Sequence, residues 1–220
     1  MNTQVCVFFL AVAVAIVFAA LRSQTSWFTD LGDMSGRATS ALDDFSTFSP
    51  HTEPDEHAGF AAIKRADPHF TVEELRARIT EMFLALHAAV AAGDLAPVQR
   101  FVDPDFYRVL VSRVGDERAA GIPQIVTAVR DVRPAIARHD DGLDLIRTTI
   151  VGTLEDGKTL VEYWELIRRT GATSKPQMTI FRCPNCGGPV DGADPTRCAY
   201  CDTLLADPAL DWVVRKISTE

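Results

Sequence analysis

Residues 143–169, LDLIRTTIVGTLEDGKTLVEYWELIRR, predict two neighbouring β-strands joined by a tight turn. Both flanks are rich in β-branched and aromatic residues, and Asp156-Gly157 between them is a dipeptide that favours the two-residue turn of a β-hairpin. Residues 125–136 have a similar composition, and the segment HDDGL at 139–143 supplies a second turn. The sequence therefore predicts strands at 125–136, 143–154 and 160–169 of an antiparallel sheet.

Helical patterns precede these strands. The segment TVEELRARITEMFLALHAAVAAGDL at 71–95 begins with the capping box Thr71–Glu74, repeats apolar residues at spacings of three and four, and ends at Gly93. A shorter helix is predicted around 95–102, and Asp103-Pro104 predicts the start of another that runs to about residue 114. Helices followed by strands indicate an α+β domain in which helices cover one face of the sheet.

Four of the five cysteines lie in the segment CPNCGGPVDGADPTRCAYC at 183–201. Two Cys-x2-Cys pairs suit the tetrahedral coordination of a structural zinc ion, with Cys183, Cys186, Cys198 and Cys201 as ligands. In an oxidising compartment the same cysteines would form disulfides, which is the alternative interpretation. The predicted zinc ribbon, residues 182–203, is inserted between short predicted strands at 178–181 and 210–217.

The N-terminal residues predict a membrane anchor. Val5 to Leu21 carries no charged residue, and as a helix it would span about 25 Å at ~1.5 Å per residue, so residues 1–24 are assigned to one transmembrane helix. A cleaved signal peptide is the alternative, although the basic residues typical of one are absent before the apolar run. Arg22 and Arg37 follow the run and favour a cytoplasmic C-terminal body. Residues 25–66 are predicted to be a flexible acidic tether, and residues 67–220 the folded domain.

Charge argues against nucleic acid as the partner. The 220 residues include 30 acidic and 22 basic ones, which gives a net charge of −8, and the ribbon segment is itself acidic. A modest basic stretch formed by Arg168, Arg169, Lys175 and Arg182 is most simply explained as a solvated strand end, although it would also suit anionic lipid or an acidic partner.

Several segments together resemble the bacterial branch of the Tim44-like domain family: AAGDLAPVQRFVDPDFYRVL at 91–110, LVEYWELIRR at 160–169, the two cysteine pairs, and LDWVVRKI at 210–217. The resemblance covers about residues 68–218. It implies a cone-like domain with helices packed on a curved antiparallel sheet, a preceding transmembrane helix, and zinc bound by the four cysteines. Mitochondrial members of the family hold the import motor at a membrane channel, but this chain lacks their long charged N-terminal region, so import function is not implied.

These observations predict a single-pass scaffold or adaptor at the bacterial inner (plasma) membrane. Its domain lies in the cytoplasm and binds an unidentified membrane-associated protein. The alternative is a membrane-tethered enzyme or small-ligand binder that uses the interior of the cone, with Glu165 as its best candidate for a general base. Pairing of Glu165 with Arg147 is the simpler interpretation, and strand alternation does not reveal which face of 160–169 is the interior one. The candidate cavity or partner-binding residues are Tyr163, Trp164, Glu165 and Trp212.

Overall fold

The computed structural model describes residues 56–121, 125–175, 178–190 and 194–219. Its helices are α1 (Glu56–Ala66), α2 (Val72–Ala92) and α3 (Pro104–Ala119), with a 3₁₀ turn at Ala96–Arg100 between the last two. Its strands are β1 (Val126–Asp140), β2 (Leu143–Leu154), β3 (Thr159–Arg169) and β4 (Val213–Thr219). The strands form one antiparallel sheet in the order β1-β2-β3-β4. This arrangement confirms the predicted α+β class.

Both ends of α2 and the start of α3 lie where the sequence predicts them. The Thr71 hydroxyl accepts a hydrogen bond from the Glu74 N–H at 3.1 Å, and Gly93 ends α2 with a φ of 72°. Asp103 caps α3, which starts with Pro104 and continues five residues beyond the predicted end at residue 114. These caps satisfy backbone groups that an isolated helix end leaves without partners.

The helices cover one face of the sheet, here called the inner face. The buried side of α2, with Ile79, Met82 and Phe83, joins a hydrophobic core that also contains Ile150 of β2 and Trp164 of β3. The Phe83 and Trp164 rings lie 5.9 Å apart between centroids. The opposite face, here called the outer face, is partly covered near Leu145 and Ile167 by the chain that returns from the cysteine segment at Ala206.

The predicted boundary between the tether and the folded domain differs from the structure. Residues 56–66, which are predicted to belong to the tether, form α1, with Ile63 buried and the Phe60 ring stacked on Phe70 at 6.3 Å. Gly59 allows this helix to approach β1, because a Cβ there would lie 1.9 Å from the Ala137 carbonyl oxygen. The signal for this helix in the sequence is the pair Phe60 and Ile63, which are three residues apart and therefore lie on one side of a helix.

The predicted strand at 178–181 is wrong. The described residues of this segment form a turn against α2, where the Ile180 N–H donates to the Glu81 carboxylate at 3.1 Å, so a side chain takes the place of a strand neighbour. The final strand begins at Val213, later than predicted, and its edge bonds to the backbone around Val102. The cysteine segment is inserted between β3 and β4.

None of the helices in the described residues is long and apolar enough to cross a membrane. The predicted anchor, residues 1–24, lies outside the described residues, as does the tether up to residue 55.

A buried ion pair joins the α1–α2 connection to the sheet. The Arg168 guanidinium donates to the Asp67 carboxylate at 2.9 Å, and both side chains are almost fully enclosed. The hydroxyl and N–H of Ser174 donate to the same carboxylate oxygen at 2.6 and 2.8 Å. Burial acts to raise the pKa of Asp67, but the hydrogen bonds from Ser174 and Arg168 outweigh burial, so the pKa lies below its ordinary value.

We expect Asp67→Asn to lower the free energy of unfolding at pH 7 by about 3 kcal/mol, because the buried Arg168 loses the carboxylate to which it donates and keeps only Asp144, at 3.9 Å, as an anionic neighbour. Since the folded state lowers the pKa of Asp67, the carboxylate contributes stability above about pH 4, the ordinary range of an aspartate, and loses it as the pH falls through the folded value. The difference between wild type and variant should therefore shrink towards pH 3. Urea unfolding of the full chain in a non-ionic detergent, followed by tryptophan fluorescence, measures it.

Asp156→Asn is the matched control, because Asp156 also pairs with a basic residue, Lys158 at 2.7 Å, but on the surface. An equal loss of stability in both variants, or a difference between wild type and Asp67→Asn that does not depend on pH, would contradict the role given to this ion pair.

Candidate functional site

The two cysteine pairs are held by matching backbone turns. The N–H of Gly187 bonds to the carbonyl of Cys183 at 2.9 Å, and the N–H of Asp202 bonds to the carbonyl of Cys198 at the same distance. Gly187 and Asp202 both have a positive φ, 74° and 57°. Asp202 thus takes the backbone conformation in which glycine is usual, at a steric cost of roughly 1–2 kcal/mol.

The four thiols meet at one point. Their sulfur atoms all lie within 4.8 Å of one another, and Cys183–Cys201 and Cys186–Cys198 are both separated by 3.7 Å. A tetrahedral site with zinc–sulfur bonds of ~2.3 Å requires sulfur separations of about 3.8 Å. None of these cysteines is in a disulfide. The donor set and its spacing fit zinc, so the predicted ligands come together as a possible metal site.

Neighbouring donors tune the sulfur atoms. Hydrogen bonds with the hydroxyl and the N–H of Thr203 lower the pKa of the Cys201 thiol to about 6, while burial raises the pKa of Cys183 to about 11. The Gly188 N–H lies 3.4 Å from the Cys186 sulfur. Such N–H and O–H donors stabilise thiolates, the form in which cysteine binds a metal.

The ribbon has little core of its own. Its buried cluster consists of Cys183, Cys198 and Leu205, with Val190 and Cys201 packed against it. Part of its support comes from outside, because the Lys175 ammonium donates to the Pro184 carbonyl and, at 2.7 Å, to the Asn185 carbonyl. A bound metal would therefore supply much of the stability of this segment.

The basic stretch predicted at 168–182 is divided by the fold. Arg168 is buried in the ion pair with Asp67, Lys175 binds ribbon carbonyls, and Arg169 and Arg182 are exposed. The interpretation of all four as a solvated strand end is thus wrong for Arg168, because β3 turns that side chain to the inner face.

A surface groove of about 280 Å³ lies between α2 and the ribbon. Its apolar lining includes Phe70, Leu75, Met178 and Trp212, and Pro184 contributes from the ribbon. The Arg78 guanidinium in its wall binds the Asp211 carboxylate. Sequence reasoning missed this groove, because its lining residues come from segments far apart in the chain.

The inner face of β3 carries Glu162 and Trp164, not Glu165. The Trp164 indole N–H donates to the Glu162 carboxylate at 2.7 Å, and the other carboxylate oxygen lies 3.3 Å from His87 Nε2 on α2. His87 is buried, with its ring 4.4 Å from that of Phe83. The sequence places His87 one position off the apolar stripe of α2, which was the only signal for this polar pair.

Glu165 lies on the outer face, where the Arg147 guanidinium is 3.3 Å away and the Arg215 guanidinium 2.9 Å away. Its predicted pairing with Arg147 is confirmed, and its alternative position inside the domain is wrong. Tyr163 shares the outer face, whereas Trp212 is buried beneath Arg168, whose guanidinium carbon lies 4.6 Å from the ring centroid. The four candidate residues therefore do not form one site.

Residues 56–152 match the family model of the Tim44-like domain. The match supports the family that the sequence resembles, and it favours a scaffold or binding role. It begins with α1 and ends within β2, so it does not include the cysteine ribbon. A search of curated proteins finds no match.

We expect the full chain, purified under reducing conditions, to contain one zinc ion per molecule by elemental analysis. Cys198→Ser should lose the ion and loosen the ribbon while the helical circular dichroism persists, because α1, α2 and α3 pack in a separate core. Structural zinc contributes on the order of 10 kcal/mol in isolated fingers, and we expect less here.

Cys6→Ser is the control, since it removes the fifth cysteine, which lies outside the ribbon. Absence of metal from the wild type, or equal zinc content in the Cys198→Ser and wild-type proteins, would contradict the assignment.

Proposed function

We propose that this protein is a membrane-anchored, zinc-containing scaffold that holds a membrane-associated protein on the cytoplasmic side of the bacterial inner membrane. In this proposal residues 1–24 are the anchor, and the ion bound by the four cysteines is structural. The Tim44-like match supports a binding role, and the cluster of reduced thiols supports a metal site in a reducing compartment.

The observation that carries the proposal is the packing of the inner face. Phe83, Ile150, Trp164 and Leu166 are almost completely buried there, while the groove beside the ribbon opens at the surface. The described domain thus encloses these apolar side chains and offers the groove beside the ribbon to a partner from outside. An anchor would confine these surfaces near the membrane and raise their effective concentration for a membrane-associated partner.

A second function has one observation in its favour. His87 and Glu162 form a buried acid–base pair on the inner face, and such pairs can act in proton transfer when a substrate reaches them. An enzyme or small-ligand binder would use this pair in place of Glu165. We favour the scaffold because the side chains around the pair, including Thr148 and Trp164, are themselves buried.

We expect Glu162→Gln and His87→Asn to complement a deletion strain as well as the wild type does, because a scaffold needs the packing of these residues and not their acid–base chemistry. Glutamine can still accept the hydrogen bond of Trp164. Deletion of residues 2–24 should abolish complementation, and an unrelated bacterial transmembrane helix with the same orientation should restore it. Immunoblots of membrane and soluble fractions show whether each variant accumulates.

The opposite pattern would favour the enzyme. In that case the anchorless protein complements the deletion strain. The Glu162→Gln and His87→Asn variants accumulate and retain wild-type circular dichroism, but they do not complement it.

A further inference from the structure

The two cysteine turns share a pattern that extends beyond the thiols. An arginine directly precedes the first cysteine of each turn, Arg182 in RCPNCG and Arg197 in RCAYCD. Arg182 Nη1 donates to the Gly187 carbonyl at 3.1 Å, and Arg197 Nη1 donates to the Asp202 carbonyl at 2.7 Å. Donor and acceptor are five residues apart in both turns, so the same contact is made twice.

The carbonyl that each arginine binds belongs to a peptide group that faces a thiol. In the first turn the N–H of this group is that of Gly188, which lies 3.4 Å from the Cys186 sulfur. In the second turn it is the N–H of Thr203, which bonds to the Cys201 sulfur. These peptide bonds are trans, so their C=O and N–H point in opposite directions. One planar peptide group therefore lies between a guanidinium and a sulfur atom in both turns.

This arrangement stabilises negative charge on the sulfur atoms. A guanidinium bound to the carbonyl oxygen polarises the peptide group, which makes its N–H a stronger donor to a thiolate. A divalent ion with four thiolate ligands forms a dianionic centre, and the two arginines supply the matching positive charge. Cys186 is exposed and Cys201 half-buried, whereas Cys183 and Cys198 are buried, so the arginines serve the two thiols that solvent reaches.

We propose that Arg182 and Arg197 are positioning residues of the metal site. They act on Cys186 and Cys201 through the intervening peptide groups and thereby raise the affinity of the ribbon for zinc. The proposal rests on the metal-binding part of the proposed function, and it assigns a role to two residues outside the ligand set. Groups that orient and polarise metal ligands from outside typically change metal affinity by about 10- to 100-fold.

A surface ion pair is the other explanation for Arg197, because its Nη1 also lies 3.4 Å from the Asp202 carboxylate. That carboxylate side chain is 87% exposed, and exposed pairs contribute little. Gly187 takes the place of Asp202 in the first turn and has no carboxylate, yet Arg182 makes the same carbonyl contact. The contact that the two turns share is therefore the one to the carbonyl.

The test is competition for zinc between the full chain and a fluorescent chelator of known affinity, in non-ionic detergent under anaerobic, reducing conditions. Arg182→Met and Arg197→Met keep the aliphatic part of the side chain and remove both the charge and the donor. Each should weaken zinc binding about tenfold. Arg182→Lys and Arg197→Lys should lose less affinity, because they retain a charge and a donor.

Arg169→Met is the matched control, since Arg169 is exposed at the end of β3 and its removal changes the net charge equally. It should change zinc affinity less than about twofold, because screening weakens distant charges. Asp202→Gly removes the carboxylate and keeps the carbonyl, so it should not weaken zinc binding. The ion-pair explanation predicts instead the same loss as in Arg197→Met, and that result would overturn the role of Arg197.

Cobalt(II) in place of zinc distinguishes polarisation of the sulfur atoms from simple support of the turn. Hydrogen bonds lower the energy of the sulfur lone pairs, so weaker bonds move the sulfur-to-cobalt charge-transfer absorption to longer wavelength. At saturating cobalt the Arg182→Met and Arg197→Met proteins should show this shift, and the Arg169→Met protein should not. Contacts that only supported the backbone of the turns would lower affinity and leave the absorption band unmoved.

Zinc affinity in the Arg182→Met and Arg197→Met proteins equal to that of Arg169→Met, or an absorption band unmoved in both, would overturn the proposal. In either case one zinc ion per wild-type chain would leave the metal site itself standing. Absence of zinc from the wild type would instead remove the metal from the proposed function, and this proposal with it, so the two failures are distinguishable.

Discussion

The enclosed guanidinium of Arg168 is the contact on which the arrangement of this domain depends. It joins the end of β3 to Asp67 from the α1–α2 connection, and its face covers the Trp212 ring just before β4. Ser174, from the segment that leads to the ribbon, donates to the same carboxylate. Removing one charge from water costs several kcal/mol unless its partners are in place, so these segments must assemble together.

The segments that meet at Arg168 also determine where the ribbon lies. Lys175 follows Ser174 directly and binds carbonyls of the first cysteine turn, and after the second turn Ala206 packs against Leu145 and Ile167 on the outer face. The ribbon is therefore held on its N-terminal side by polar contacts and on its C-terminal side by apolar contacts. A bound metal would hold the two cysteine turns together, while the contacts with the sheet determine how the ribbon is oriented.

The features that the sequence predicts correctly depend on residues that lie close together in the chain. The caps at Thr71, Gly93 and Asp103, the hairpin turns and the meeting of four thiols all depend on neighbours close in the chain. The Asp67–Arg168 pair joins residues 101 positions apart, and no local pattern announces it. The choice of face for β3 was equally hidden, because both faces of 160–169 are about equally apolar and only the packing of α2 distinguishes them.

The buried carboxylates on the two faces of the sheet have different surroundings. Glu162 is closed in with Trp164 and His87, so its hydrogen bonds serve the packing of α2 against the sheet. Glu165 is also buried, but the groups it holds, Arg147 and Arg215, reach solvent. A reaction chamber needs a polar group and room for a substrate in one place, and the groove beside the ribbon is lined by neither His87 nor Glu162. The inner face has the enclosed polar pair, and the outer face has the access. Binding at surfaces is therefore the use that this arrangement supports best.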